Sequence, residues 1–144
     1  MKIVIADDSD MLRERIKESL KEVENVDIVG EAKNGIEALK IIQEKNPDFV
    51  LLDIRMPEVC GIEVLKKMKE TGSKSKVCIF TNYPYSQYKE KCMTEGADYF
   101  FDKSNDFQEI KDLIEQLLQN GLGEKQWKIL EALIIEKNRY RQIL

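Results

Sequence analysis

Apolar residues recur along this chain in two patterns that take turns. KIVIA (2–6) is a continuous apolar run, the mark of a strand covered on both faces. MLRERIKESLKEV (11–23) then places Leu12, Ile16, Leu20 and Val23 at helical spacing, with Ser9 or Asp10 available as the cap. VDIVGEA (26–32) reads as a short strand. Asn34-Gly35 turns the chain into the helix IEALKIIQEK, whose inward side is expected to carry Ile36, Leu39, Ile42 and the stem of Lys40. Asn46-Pro47 stops it. DFVLLDI (48–54) is the most apolar strand and is expected at the centre of a sheet.

The same alternation continues. The loop RMPEVCG leads to the helix IEVLKKMKE, which ends at Thr71-Gly72. KVCIFTN (76–82) is a fourth strand, SQYKEKCMTE a fourth helix ended by Gly96, and ADYFFD (97–102) a fifth strand. DFQEIKDLIEQLLQ (106–119) is a fifth helix with Phe107, Ile110, Leu113, Ile114 and Leu117 inward. Five strand–helix units with short connections predict an α/β fold: a parallel sheet with helices on both faces and right-handed crossovers.

In such a sheet the ligand site lies beyond the carboxyl ends of the strands. Strand one ends in Asp7-Asp8, strand three carries Asp53 at its tip, strand four ends in Thr81-Asn82, and strand five ends in Asp102-Lys103. Adjacent anions at the end of a buried strand repel one another and resist desolvation, so they call for a cation. Only hard oxygen ligands gather there, which suits Mg2+ rather than zinc. Lys103 offers a matching charge for an anionic group. Taken singly, each residue has an ordinary explanation: a turn or cap for Asp7 or Asp8, a strand end for Thr81, a solvated side chain for Lys103. Their convergence on one edge argues against reading them singly.

Composition removes several function classes. The chain has 144 residues, the size of about one domain, and no histidine. A histidine triad, a histidine-ligated metal and a phosphohistidine on this chain are therefore excluded. The net charge of −4 gives no general attraction to nucleic acid or anionic membrane. No apolar stretch reaches the length of a membrane span, and Met1 runs directly into a strand, so a cytoplasmic protein with no membrane partner is expected. Cys60, Cys78 and Cys92 are widely spaced and read as reduced thiols.

The set Asp7-Asp8, Asp53 with Met56-Pro57 and Gly61 beyond it, Thr81 and Lys103 resembles the receiver domain of two-component response regulators. The resemblance covers residues 1 to about 120 and implies the flavodoxin-like strand order 2-1-3-4-5. It also implies that Asp53 accepts a phosphoryl group from a phosphohistidine on a partner histidine kinase or phosphotransfer protein. Asp8, Asp53 and the backbone carbonyl of Arg55 would bind Mg2+ directly, and Asp7 through water. Lys103 and Thr81 would hold phosphoryl oxygens. Phe100, three before Lys103, is the switch aromatic that would swing inward as Thr81 moves. The protein would be a signalling switch, catalysing only its own phosphoryl transfer and slow self-dephosphorylation.

Three positions depart from the usual pattern. Ser104 follows Lys103 where relatives often have a cis proline, Asn82 stands where a small residue is common, and Tyr83, Pro84, Tyr85 and Tyr88 crowd the approach to helix four. The tyrosines either form a partner-binding patch or pack against the sheet. Arg55 and Tyr83 lie two residues beyond Asp53 and Thr81, positions that by the resemblance flank the path by which water would reach a phosphorylated Asp53; alternatively both point to solvent.

Residues 1–121 are expected to form the receiver and 122–144 a helical extension. Trp127, Leu130, Leu133, Ile134, Tyr140 and Leu144 give the extension a wide apolar stripe, widened by Ile129 and Ile135. It packs on its own domain or in a homodimer, or it opens a helix-turn-helix output domain; DNA is a partner only in the last case. Two other functions compete. A haloacid-dehalogenase-type phosphatase also uses Mg2+ and a strand-end Asp, but it wants D-x-D on its first strand. A receiver-like scaffold that works without phosphorylation would have lost Asp53, Lys103 or the acidic pair. A flavin-binding flavodoxin is a weaker rival, because ADDSD would repel its phosphate.

Overall fold

The computed structural model describes residues 1–83, 85–104, 107–119 and 132–137. Five strands, β1 (Lys2–Ala6), β2 (Asp27–Ala32), β3 (Phe49–Leu52), β4 (Lys76–Thr81) and β5 (Tyr99–Asp102), form one parallel sheet in the order β2-β1-β3-β4-β5. Five helices connect and cover them: α1 (Asp10–Leu20), α2 (Gly35–Lys45), α3 (Gly61–Glu70), α4 (Ser86–Thr94) and α5 (Gln108–Gln119). A short helix follows at 132–137. The α/β class, the strand order and the central position of β3 match the expectation from sequence.

The continuous apolar runs are explained by two cores. On one face Val4, Val50, Leu52, Val77 and Ile79 meet Ala38, Ile42, Val64, Leu65 and Met68 from α2 and α3. On the other, Ile3, Ile5, Leu51, Cys78 and Phe80 meet Ile16 and Leu20 of α1 and Ile110, Leu113 and Ile114 of α5. Burying each large apolar side chain contributes roughly 1.5–3 kcal/mol, so a two-sided sheet anchors its strands firmly. Ile134 of the short helix packs against the second core, whereas Leu133 and Ile135 are exposed. Trp127, Leu130, Ile129, Tyr140 and Leu144, together with Gly121 and the rest of 120–131 and 138–144, lie outside the described residues, as does Pro84.

Local signals set the element ends. Ser9 is the cap of α1, its hydroxyl accepting from Leu12 N at 3.2 Å. Asn34 caps α2 by accepting from Glu37 N at 2.8 Å. The expected inward side of α2 needs correction. Ile36 is 56% exposed and Lys40 is exposed, while Gly35, Ala38 and Ile42 are buried. The helix enters with Gly35 against the β3–α3 loop: a Cβ there would meet the Val59 carbonyl oxygen at 2.0 Å. That contact fixes the rotation of the helix and turns Ile36 outward. Helix α1 also ends earlier than expected, at Leu20, and Val23 packs on the core from the turn beyond it.

Candidate functional site

Register places the acidic residues side by side. Ala6 pairs with Leu52, so Asp7 and Asp53 leave neighbouring strands at the same level. Asp53 N donates to Ala6 O at 3.0 Å and Asp7 N to Ala32 O at 2.9 Å, which extends the sheet by one step beneath both side chains. Thr81 pairs with Asp102 at the ends of β4 and β5, and Lys103 N donates to Thr81 O at 2.8 Å. The structure thus brings Asp7, Asp8, Asp53, Thr81 and Lys103 to one edge.

Asp7 and Asp53 are 3% and 5% exposed, and Asp8 is exposed. One Asp7 oxygen accepts from Ser9 N at 2.9 Å and the other lies 2.5 Å from Lys103 Nζ. Asp53 is arranged alike: Oδ1 accepts from Ile54 N at 2.8 Å and Oδ2 lies 3.1 Å from Lys103 Nζ. One ammonium therefore serves two buried carboxylates. Burial pushes the Asp53 carboxyl up to about 6, and the Asp7 charge adds to the rise against the opposing pull of Lys103. Burial lowers the Lys103 pKa, but the hydrogen bond to Asp7 and the charges of both carboxylates outweigh it, and the net shift is upward.

The donor set fits a small divalent cation. Carboxylate oxygens of Asp7, Asp8 and Asp53 lie within 4.8 Å of one another, all hard ligands. A cation among them would supply the charge that one lysine leaves short.

The loop beyond Asp53 is tightly specified. Gly61 N donates to Ile54 O at 2.7 Å, and a Cβ on Gly61 would meet the Asp53 carbonyl oxygen at 2.0 Å. Only glycine lets α3 start so close to the acidic strand tip. Met56 is buried in the first core, while Arg55 and Glu58 are exposed. Arg55 lays its guanidinium 3.9 Å from the centroid of the Tyr83 ring. This cation–π stack ties the β3–α3 loop to the β4–α4 loop. The Tyr85 and Tyr88 rings lie 5.9 Å apart; Tyr85 is exposed and Tyr88 packs partly on the core.

Thr81 is fully buried, and its hydroxyl accepts from Tyr83 N at 3.0 Å. Phe100 is 7% exposed, so its ring is packed in the first core. No cis peptide occurs among the described residues; Ser104 N instead donates to Asp102 Oδ1 at 2.9 Å and shapes the turn after Lys103. One residue near the site had no obvious signal in the sequence. Arg13, a turn into α1, donates through Nη1 to the Asp7 carbonyl oxygen at 2.5 Å. Its position four after the Ser9 cap is the only hint, and the contact itself depends on the tertiary approach of β2.

Comparison with known proteins agrees with this geometry. Residues 3–115 match the response regulator receiver domain. The chain is 36% identical over 109 residues to the virulence factors putative positive transcription regulator BvgA of Bordetella pertussis, covering 76% of this chain and 52% of that one. It is 30% identical over 122 residues to the nitrate/nitrite response regulator protein NarL of Escherichia coli K12, covering 85% and 55%. The chain thus spans about half the length of the curated relatives it matches. Among solved structures, a DNA-binding response regulator of the LuxR family from Staphylococcus aureus superposes with a TM-score of 0.75 at 32% identity, over 81% of this chain and 97% of that one. A LuxR-family two-component response regulator from Aurantimonas sp. SI85-9A1 does so with 0.76 at 26% identity, over 96% and 97%. With the match running from β1 into α5, the chain belongs to the response regulator receiver domain family.

Proposed function

We propose that this receiver is switched by phosphorylation of Asp53, with a phosphohistidine on a histidine kinase or phosphotransfer protein as donor. The observation that carries the reading is the pairing of a buried Asp53 with Lys103 at 3.1 Å, beside the Asp7 and Asp8 oxygens. An Asp53 oxygen attacks phosphorus in line; the O–P bond forms as the N–P bond to the donor imidazole breaks. Lys103 is placed to neutralise one phosphoryl oxygen, and the Thr81 hydroxyl, which accepts from Tyr83 N, keeps its O–H to donate to another. Asp7, Asp8, Asp53 and the Arg55 carbonyl would hold Mg2+, which supplies charge neutralisation at the acceptor and the phosphoryl group.

Thr81 and Phe100 then carry the change outward: Thr81 moves toward the phosphoryl group, and Phe100, expected to swing inward, already occupies its packed position in the first core. The chemistry is confined to the chain's own phosphorylation and its slow reversal. Residues 1–121 form the receiver and 122–144 an extension; the contact of Ile134 with the α1–α5 core supports packing on its own domain, leaving Leu133 and Ile135 for a second copy. Relatives named as transcription regulators and a DNA-binding response regulator support control of transcription as the output, with DNA a partner of this chain only if residues 122–144 open an output domain. Three free cysteines, and no helix among the described residues long and apolar enough to cross a membrane, accord with a cytoplasmic setting.

Incubation with acetyl phosphate and Mg2+ tests the reading by intact mass. One phosphoryl group, roughly 80 Da, should add to the protein and not to Asp53→Asn. The same gain in the variant would remove Asp53 from this role.

A further inference from the structure

Beyond the acidic cluster, an ion-pair group on α1 and β2 reaches the peptide that joins Asp7 to Asp8. The Arg13 side chain is only 12% exposed, and it holds three partners at once. Nη1 donates to the Asp7 carbonyl oxygen at 2.5 Å, Nε to Glu31 Oε1 at 3.2 Å, and Nη2 to Asp10 Oδ1. Lys17 Nζ braces the second Glu31 oxygen at 2.9 Å and pairs with Glu14 at 2.6 Å. The Asp7 carbonyl belongs to the peptide plane whose other side is the Asp8 amide. Fixing that carbonyl fixes the direction in which Asp8 leaves the strand.

We propose that Arg13 is a positioning residue for the cation site: its guanidinium, oriented by Glu31 and Asp10, locks the Asp7–Asp8 peptide so that both carboxylates face one point. This rests on the reading of the acidic cluster as a divalent-cation site. The pair is asymmetric without it. Asp7 is tied by Ser9 N and Lys103, whereas Asp8 is exposed on the loop and depends on the backbone for its aim. Outer partners that orient ligands typically change metal affinity 10–100-fold when removed.

Charge and geometry predict opposite signs here. A guanidinium near a cation site repels the cation, so removing it should tighten binding if charge decides. Asp8 and Asp10 are exposed, so solvent screens that repulsion, whereas the contact of Arg13 with the Asp7 carbonyl is direct. Geometry should therefore win, and removal should weaken binding. Lysine is no substitute, because one ammonium cannot span the carbonyl, Glu31 and Asp10 in the planar fork that arginine provides.

The test is Mn2+ binding, without any phosphodonor, by calorimetry and by the loss of free-ion paramagnetic resonance. It uses the full chain as wild type, Arg13→Met, Arg13→Lys and Glu31→Gln, with thermal melts of the metal-free proteins. Arg13→Met should raise the dissociation constant on the order of tenfold and Arg13→Lys by several-fold. Glu31→Gln, which keeps an acceptor for Nε, should change it by about twofold at most. Amide exchange at Asp8 and Ser9 should quicken in Arg13→Met. Absence of Mn2+ binding by wild type would overturn the cation-site reading and this inference with it. Binding by wild type with unchanged or tighter binding in Arg13→Met, or wild-type affinity in Arg13→Lys, would overturn this inference alone. Should Arg13→Met not fold, Arg13→Lys decides.

Discussion

At the amino end of the sheet, carboxylates each have their own work to do on the backbone. Asp98 accepts from Val77 N at 2.8 Å and lies 3.6 Å from Lys76 Nζ, and Asp48 accepts from Lys2 N at 2.7 Å. Ser75, buried there, donates its hydroxyl to Pro47 O at 2.5 Å. At the carboxyl end, Asp7 and Asp53 share one ammonium with a third carboxylate close by, and the Asp53 carboxyl rises to about 6. Aspartates pin strands at one end, whereas at the other Asp53 resists ionisation. The difference separates groups that stabilise the fold from groups held ready for a cation and an incoming phosphoryl group.

The largest test of that contrast uses glycine. Gly61 adjoins the acidic tip and Gly72 the opposite end of α3. Gly61→Ala drives a Cβ to within 2.0 Å of the Asp53 carbonyl oxygen, whereas nothing lies within 4 Å of a Cβ at Gly72. Gly61→Ala should cost more than about 3 kcal/mol or prevent folding, beyond the usual range for point changes. Gly72→Ala should cost only about 1 kcal/mol, for its φ of +75°. Urea melts of the two variants measure the gap. Similar costs would mean that the β3–α3 junction yields more easily than its geometry implies.

The next test reverses sign between the ends. In metal-free protein a carboxyl whose folded value lies above its unfolded one destabilises the fold once pH passes the unfolded value. For Asp53 the cost is absent below about 4, grows as pH rises toward about 6, and is complete above it. Asp53→Asn should therefore stabilise the metal-free protein at pH 7.5 by about 1–3 kcal/mol, and the gain should fade toward pH 4. Asp98→Asn should destabilise by about 1–2 kcal/mol, because it weakens a charge-assisted hydrogen bond to the backbone. Denaturant melts in EDTA at both pH values check each sign.

Much of the sheet and the site was legible because two-sided burial writes itself as continuous apolar runs. KIVIA, FVLL and VCIF end where their polar neighbours begin, so Asp7, Asp53 and Thr81 fell at strand ends without further information. What was not legible depended on contacts between elements. Ile36 looked inward by spacing, yet Gly35 against Val59 set the rotation of α2. No pattern in the sequence singles out Arg13, and only the approach of Glu31 reveals what it holds. The Arg55–Tyr83 stack joins loops whose neighbourhood no local pattern encodes.

That stack gives a smaller effect. If the two side chains cover the water's approach to Asp53, breaking the stack should open the path. Arg55→Asn with Tyr83→Glu should speed decay of the phosphorylated protein, in excess Mg2+ and with donor removed, by several-fold, or about 1 kcal/mol of barrier. Equal or slower decay would show that the two side chains do not shield the site.

The contrast between the two ends rests most directly on the Asp53 carboxyl itself. Its titration in metal-free protein, followed by the 13C shift of the side-chain carbon, should give an apparent value of about 6. Saturating Mg2+ should move it down, because a bound cation favours the carboxylate. A metal-free value near 4, or one that Mg2+ leaves in place, would contradict the account.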